Sequence, residues 1–329
     1  MRTELHTPPG ADAPLAPLTE RLAAMSAPCP MHPSVHRIEA ALLEWSRRLG
    51  LEVDRGAGVH RVAGRAMARC DTGAAALFAR WLAWLLRFRE ESDAYAGVLA
   101  VAEGCEPGPR TVERAFASLW RECSPGMSRQ WRERFLAHLT AQRAALLDTG
   151  RTRGATARGA VPAARSSSGL RAGSRPDLRA GPPPGSSVPV RPRDRTACGP
   201  CLFDVVEPCL GVEVPARLAG DRRWLALTEA AGDVAAWCDG LASGYGRAPA
   251  EEVERLVVRM EELWTAARAV PVLVERHGLG LATGRDVTRV ACVFLTLSRA
   301  HLERLLETRP QEARAQEAQT RESPTGVRR

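Results

Sequence analysis

The stretch that decides the fold is "RTACGPCLFDVVEPCLGVEVP", residues 195–215. Pro200 suits the first turn of a helix, because a helix leaves the backbone N–H groups of that turn without partners in any case. Apolar residues then recur with helical periodicity to about residue 210. Cys198 and Gly199 stand just before this run, where the backbone must turn. The stretch therefore predicts a bend followed by a helix over about 199–210.

The same stretch contains Cys198 and Cys201 around a Gly-Pro pair, which is the active-site string of thioredoxin-like oxidoreductases. That chemistry needs a strand leading into the first cysteine, whose thiol pKa is then lowered at a helix N-terminus. Here an Arg- and Pro-rich segment precedes the string, and no strand pattern flanks it. A metal site would recruit Cys209 and Cys238, but no second CxxC or CxxH completes a ligand set. We favour a chance occurrence beside a helix start and keep a thiol oxidoreductase as the remote alternative.

The composition of the chain favours an all-α protein. The chain has 329 residues, of which 45% are hydrophobic and only 5% aromatic. Alanine, leucine and arginine dominate, and runs of β-branched or aromatic residues typical of strands are almost absent. This length and hydrophobic content suffice for a sizeable core, and for one large domain or two small ones.

The basic charge of the chain is concentrated in one segment. The formal net charge is +8, and residues 151–194 contribute +7 of it through nine arginines against two aspartates. The segment is otherwise rich in Gly, Pro, Ser and Ala without a period, which predicts a disordered linker. It has no aromatic residue on which a base could stack, so we expect no nucleic-acid partner.

The cysteines and the apolar runs bear on location. Nine cysteines, an odd number, are scattered along the chain, and the first residues lack the apolar core of a signal peptide. No apolar run reaches the roughly 18–20 residues that a membrane span requires. These features favour a cytoplasmic protein with reduced thiols.

Helical periodicity and breakers divide the chain into two halves of one helical domain. Helices are predicted over about 34–50, 72–96, 109–123, 128–148, 199–210, 222–243, 249–278 with a kink at Pro271, and 285–308. Ser34 is expected to cap the first helix, and Gly50 and Gly150 are expected to end theirs. The predicted organisation is a disordered segment 1–30, the two halves 31–150 and 195–309 on either side of the linker 151–194, and a disordered tail 310–329.

Five blocks of sequence, taken together, carry a family resemblance. The first is residues 195–215, in which an arginine precedes a small-residue bend, a helix ending in Glu207 and "LGVEVP". The others are "CPMHPSVHRIEAALLEWSRRLGL" (29–51), "WLAWLLRFREESD" (81–93), "AAGDVAAWCDGLASGYGR" (230–247) and "LLETRPQ" (305–311). In order and spacing these blocks resemble the bacterial class I terpene synthases.

The resemblance implies a fold and an activity. The fold would be a class I terpenoid synthase-like helical bundle or barrel, here interrupted by a disordered insertion. The activity would be the Mg²⁺-dependent ionisation and cyclisation of a prenyl diphosphate, geranyl or farnesyl diphosphate, a lyase reaction of secondary metabolism that releases diphosphate. Mg²⁺ would share its oxygen ligands between carboxylates and phosphates and act as a Lewis acid. Implied partners are the prenyl diphosphate and a possible second copy in a homodimer, without a membrane span.

The metal ligands implied by the resemblance lie on two helices. On the first, Glu90 and Asp93 match the second and last positions of the family's Asp-Asp-x-x-Asp motif, whereas Arg89 replaces its first aspartate. On the second, Asp239 and Ser243 match the family's Asn and Ser positions, which are four residues apart on one helix face. The third position of that motif, normally Glu, is Arg247.

Diphosphate binding would involve the stretch 195–215. The resemblance makes Arg195 the diphosphate sensor, with Cys198 and Gly199 at the helix break, and Arg193 is an alternative sensor. The family's terminal Arg-Tyr pair is replaced by Pro310 and Gln311.

Four aromatic residues on the two motif helices are candidates for lining the pocket. Aromatic side chains can stabilise a carbocation through their π faces, but aromatics at helical spacing more often form plain core. The candidates are Trp81, Trp84, Phe88 and Trp237.

Two larger departures from the family support an alternative function. The helix that normally follows the second metal motif is missing, because the chain passes directly into the next predicted helix. The linker also replaces an ordered segment before the sensor arginine. A pocket opened to water in this way would quench a carbocation. The alternative is therefore a catalytically inactive, terpene synthase-like isoprenoid-binding or partner protein.

Overall fold

The computed structural model of the chain describes residues 29–158, 199–243 and 250–322, together with Glu20. Side chains are described in these ranges except at Arg55, 148–158, Gly240, 242–243, Ala250 and 308–322. In the described ranges, all regular secondary structure consists of α-helices and short 3₁₀ helices, without strands. The fold of these ranges is therefore all-α, as predicted. The α-helices are α1 Val35–Leu49, α2 Val59–Ala66, α3 Thr72–Glu90, α4 Tyr95–Ala102, α5 Thr111–Cys123, α6 Arg129–Arg158, α7 Pro200–Asp204, α8 Val206–Leu210, α9 Ala216–Ala219, α10 Arg222–Ser243, α11 Ala250–Arg268, α12 Val270–Arg276 and α13 Leu281–Glu322.

Helix α1 shows one correct and one wrong capping prediction. Gly50 ends the helix in the left-handed conformation at φ 71°, which glycine adopts without steric cost. The side chain of Ser34 makes no capping hydrogen bond. Its backbone N–H instead donates to Nδ1 of His32 at 3.0 Å, so a preceding histidine anchors the helix start.

Helix α3 is the central helix of the first half. Asp71 caps it by accepting a hydrogen bond from the backbone N–H of Ala74 at 2.8 Å. The helix ends at Glu90, earlier than the predicted residue 96, and a 3₁₀ turn at Ser92–Ala94 leads into α4. The predicted metal motif therefore lies where the α-helix gives way to a tighter turn.

A cluster of aromatic rings forms the core around α3. Two of its indole N–H groups donate inside the protein, that of Trp84 to the carbonyl of Val112 at 2.9 Å and that of Trp81 to Sγ of Cys123 at 3.3 Å. The rings meet in stacked and edge-to-face pairs with centroids 5.0 to 6.4 Å apart, the range that aromatic pairs prefer. The members are Trp81, Trp84, Phe88, Phe116, Trp120, Trp131 and Phe135.

Two helices run beyond their predicted ends. Helix α6 continues through Gly150 to Arg158, because one glycine in a helix interior costs only about 1 kcal/mol and does not terminate it. Helix α13 continues to Glu322 rather than stopping near residue 308. The predicted linker and tail thus begin with helical residues, and residues 159–198 and 323–329 lie outside the described ranges.

The second half is built around α10 and α13. Helix α10 packs against α11 and α13, and α13 also packs against α2, which joins the two halves of the chain. The predicted helix 249–278 is interrupted at Ala269, so that Pro271 lies in the first turn of α12, where its missing N–H costs nothing. The predicted helix 199–210 is likewise split into α7 and α8.

The C-terminal parts of α3 and α10 meet at one end of this bundle, beside the middle of α13. None of the helices in the described ranges is long and apolar enough to cross a membrane.

Candidate functional site

Residues of both predicted metal motifs line one cavity. It has a volume of about 470 Å³ and lies where α3, α10, α13 and the loop after α1 converge. Arg89 and Glu90 enter it from α3, and Asp239 enters it from α10. We call it the motif cavity. Its other charged lining residues are Glu52, Asp54, Arg87 and Arg304.

Asp239 is buried and contacts two basic side chains of α13. One carboxylate oxygen lies 3.0 Å from Nδ1 of His301, and the same oxygen lies 3.6 Å from a guanidinium nitrogen of Arg304. The side chain of His301 is only 1% exposed. A carboxylate in this environment is already neutralised by its neighbours.

The residues of the first motif are paired or basic. Glu90 accepts a hydrogen bond from Arg87 at 2.8 Å, and Arg87 also pairs with Glu91 at 2.7 Å. Arg89 is half-buried and makes no ion pair with any described residue. The cavity therefore carries a guanidinium where the related motif has its first aspartate.

Asp93 lies outside the lining of the motif cavity. Its carboxylate is exposed and pairs with Arg110 at 2.6 Å, and the hydrogen bond from that guanidinium lowers its pKa. A metal role for Asp93 stays a prediction. The side chain of Ser243 and residues 244–249, with Arg247, lie outside the described part of the chain.

The described donors do not fit a cluster of Mg²⁺ ions. Within the described ranges, no three His, Cys, Asp or Glu side chains are grouped so that they could hold a metal ion. Each described carboxylate of the two motifs also has a basic partner, since Glu90 pairs with Arg87, Asp93 with Arg110, and Asp239 with His301 and Arg304. Mg²⁺ would need these oxygens to face the ion and the substrate phosphates instead.

Of the residues predicted for the diphosphate sensor and its helix break, the structure describes only Gly199. Arg193, Arg195 and Cys198 lie outside the described ranges. Gly199 has an extended backbone, and a Cβ there would lie 2.6 Å from Oε1 of Gln142 on α6. A larger residue at the break before α7 would therefore require the side chain of Gln142 to move.

The environment of Cys201 opposes thiol chemistry. Its side chain is fully buried, its Sγ donates to Oε1 of Gln142, and burial raises its pKa well above the ordinary value. A redox-active cysteine of the thioredoxin type needs the opposite shift, because the thiolate is the reactive species.

The predicted pocket aromatics lie in the core. Trp81, Trp84 and Phe88 are fully buried among other aromatic rings, and Trp237 is half-buried against the same core. None of the four lines the motif cavity. Their placement agrees with the plain-core interpretation, and a part in lining a substrate pocket stays a prediction.

His301 and Arg304 are the site residues that sequence reasoning missed. They are three residues apart on α13, so that both reach Asp239 from one face of the helix. The available signal was a buried-face histidine followed by an arginine inside a run of leucines, "SRAHLERLL" at 298–306. The family's motif in this part of the chain, the Arg-Tyr pair, concerns residues 310 and 311 instead.

A second polar cluster joins α6 to α7 and α8. Arg134 bridges Asp204 and Glu207, and His138 contacts the other oxygen of Asp204 at 2.6 Å. Glu207 also accepts a hydrogen bond from the backbone N–H of Val214 at 2.8 Å. Loss of water raises the pKa of Glu207 to about 7 in spite of the nearby guanidinium.

Comparison with solved structures identifies the architecture. No protein-family model matches the chain, and no curated protein does. The chain superposes on cucumene synthase with a TM-score of 0.62 at 23% identity, covering 86% of this chain and 99% of that one. It superposes on α-eudesmol synthase with a TM-score of 0.66 at 16% identity, covering 86% and 98%. The chain has the class I terpene synthase fold.

A third solved structure carries a ligand. The linalool/nerolidol synthase of Streptomyces clavuligerus in complex with 2-fluorogeranyl diphosphate matches with a TM-score of 0.62 at 20% identity, covering 84% of this chain and 95% of that one. At these identities the likeness concerns the fold. The fold predicted from the sequence motifs is thereby confirmed, as a terpene synthase bundle whose motif cavity is partly basic.

Proposed function

We propose that the chain binds a prenyl diphosphate, geranyl or farnesyl diphosphate, in the motif cavity and that guanidinium groups rather than Mg²⁺ ions bind its phosphates. The observation that carries the proposal is the position of Arg89 and Arg304, which line the cavity beside Glu90 and Asp239. A solved protein of this fold binds a fluorinated geranyl diphosphate, which supports a ligand of this class.

The guanidinium groups of the cavity suit the recognition of phosphate, and they lie in a lining that also contains Glu52, Asp54, Glu90 and Asp239. A guanidinium presents a fixed fork of N–H donors that matches phosphate oxygens and stays charged at all physiological pH values. Arg89 has no carboxylate partner among the described residues, so its donors can serve a ligand without breaking an ion pair. Glu90 accepts a hydrogen bond from Arg87, and Asp239 contacts His301 and Arg304. These basic partners limit the repulsion between the two carboxylates and an anion.

Isothermal titration calorimetry with farnesyl diphosphate tests the proposal. We expect binding in EDTA, because the guanidinium donors need no metal. Arg89→Gln should weaken binding about tenfold or more, the loss of a charged hydrogen bond of about 1.5 kcal/mol or above. Arg37→Gln removes one exposed arginine from α1, outside the cavity, and should leave the affinity unchanged.

Farnesol, which has the same chain without phosphates, should bind far more weakly than the diphosphate. If farnesyl diphosphate binds only when Mg²⁺ is present, or binds equally well to Arg89→Gln, the proposal is wrong.

A second candidate is the Mg²⁺-dependent ionisation and cyclisation of the same substrates. It is favoured by one observation: Glu90 and Asp239, from the two motif helices, share a cavity. Incubation with geranyl or farnesyl diphosphate and Mg²⁺, followed by gas chromatography, would reveal volatile products. Products that disappear in a folded Asp239→Asn variant would establish this candidate, and none above a heat-killed control would exclude it.

A further inference from the structure

A second cavity, of about 790 Å³, lies beside the N-terminal end of α3. Its walls come from the end of α2 and the following loop, from α11 and α12, and from residues 279–299 at the start of α13. The motif cavity lies at the C-terminal end of α3, and this helix of 19 residues is about 28 Å long. We call the second cavity the arginine groove.

The walls of the arginine groove are mainly apolar. Trp264, Pro271, Val274 and Leu279 line it, and Leu281 at the start of α13 is 93% exposed. Volumes of about 300–1,000 Å³ with predominantly apolar walls and a few polar groups are typical of small-molecule sites. A large apolar side chain left in water also gains free energy when a ligand covers it.

The charged residues of the groove are all of one sign. Five arginines line it, and none of its described lining residues is an aspartate or glutamate. Two of them are already occupied, since Arg65 pairs with Glu307 and Arg299 with Glu303.

The other three arginines are exposed. Arg69 and Arg285 make no ion pair within the described ranges, and Arg289 has only a 3.6 Å contact with Asp286. Each guanidinium could therefore donate to an anion at the groove without losing a strong internal partner.

We propose that the arginine groove binds a single molecule with one long apolar chain and one anionic head group, a phosphate or a carboxylate. The apolar walls would take the chain and the exposed arginines Arg69, Arg285 and Arg289 would take the head. Charge complementarity selects this class, because an uncharged hydrocarbon would leave the arginines unused and a polar anion would leave the apolar walls exposed. The inference is independent of any ligand in the motif cavity.

Two exposed cysteines allow ligand binding in the groove to be measured. Cys292 lines it and is exposed, whereas Cys105 is exposed in the loop after α4 and does not line it. The rate at which N-ethylmaleimide alkylates each cysteine can be followed by peptide mass spectrometry. Dodecyl phosphate below its micellar concentration should slow alkylation of Cys292 at least fivefold and leave Cys105 unchanged.

Matched ligands separate the two parts of the proposal. Dodecanoate should protect Cys292 as dodecyl phosphate does, while 1-dodecanol and inorganic phosphate should protect it weakly or not at all. Protection by phosphatidylglycerol vesicles alone, without protection by monomeric dodecyl phosphate, would indicate a membrane surface and would overturn the proposal.

Matched variants locate the head group. In the Arg285→Gln, Arg289→Gln double variant, the concentration of dodecyl phosphate that half-protects Cys292 should rise about tenfold or more. Arg37→Gln, on α1, should leave it unchanged. Circular dichroism establishes that each variant is folded. Equal protection of Cys105 and Cys292, or an unchanged half-protecting concentration in the double variant, would refute the assignment.

Discussion

Two buried clusters in this molecule use the same three residue types in different ways. In each, an aspartate contacts a histidine and an arginine that lie three or four residues apart on one helix. The α6 cluster is Arg134, His138 and Asp204, and the α13 cluster is His301, Arg304 and Asp239.

The clusters differ in the setting of their arginine. Arg134 lies 3.0 Å from Asp204 and also contacts Glu207, so that two carboxylates occupy its donors. Arg304 lies 3.6 Å from Asp239 and lines the motif cavity. The first arrangement ties α6 to α7 and α8, whereas the second leaves a guanidinium near a cavity where a ligand could bind. Distance and setting, not residue type, separate a structural ion pair from a candidate site.

The largest effect is expected when the α6 cluster loses its cation. Arg134→Ala leaves the buried carboxyl groups of Asp204 and Glu207 without their guanidinium partner, which should lower the free energy of unfolding by about 3–5 kcal/mol. Urea denaturation measures the change. Arg129→Ala breaks an exposed pair with Glu133 on the same helix and should have a far smaller effect that salt abolishes. Equal losses in the two variants would contradict the structural role of the α6 cluster.

A smaller effect is expected when the α13 cluster loses its carboxylate charge. Asp239→Asn should lower the free energy of unfolding by about 1–3 kcal/mol, because a buried histidine and an arginine lose a charged acceptor. The same change removes a negative charge from the lining of the motif cavity, so the affinity for farnesyl diphosphate in EDTA should rise rather than fall. Isothermal titration calorimetry of the variant measures this affinity. Weaker binding of farnesyl diphosphate than in the wild type would contradict the arginine-based site.

The pH dependence of the α6 cluster gives a third test. Because burial raises the pKa of Glu207 from 4.5 to about 7, this group favours folding fully below pH 4.5 and loses that contribution as the pH rises through 7. Glu207→Gln cannot ionise, so its free energy of unfolding should fall less than that of the wild type between pH 5 and pH 8. Parallel urea titrations at several pH values measure the difference, and identical slopes would show that Glu207 titrates normally.

The smallest effect is expected at the exposed end of the first motif. Asp93→Asn breaks the surface contact with Arg110, which water and salt already screen. Thermal unfolding and the affinity for farnesyl diphosphate should both stay within experimental error. A strong loss of ligand binding would instead favour the metal role that the sequence motif predicts.

Local sequence signals predicted most helices and several of their ends. The apolar spacing of α1 and the glycine at position 50 predicted that helix and its last residue, since both depend on neighbours along the chain. The predictions from Ser34 and Gly150 were wrong, because His32 supplied the contact at the start of α1 and α6 continued through Gly150. The start of α7 at Pro200 and the break beside Pro271 followed from the backbone chemistry of proline.

The sequence by itself determined the all-α class, the terpene synthase likeness, and the residues that replace the metal motif, because these depend on periodicity and motif order. Only the tertiary structure decided that Arg89, Asp239 and Arg304 line the same cavity, and that His301 contacts Asp239. Such contacts join residues far apart in the chain, and no local pattern records which faces of α3, α10 and α13 pack together. The physical reason is that helix packing, which depends on the whole core, determines which side chains of distant segments meet.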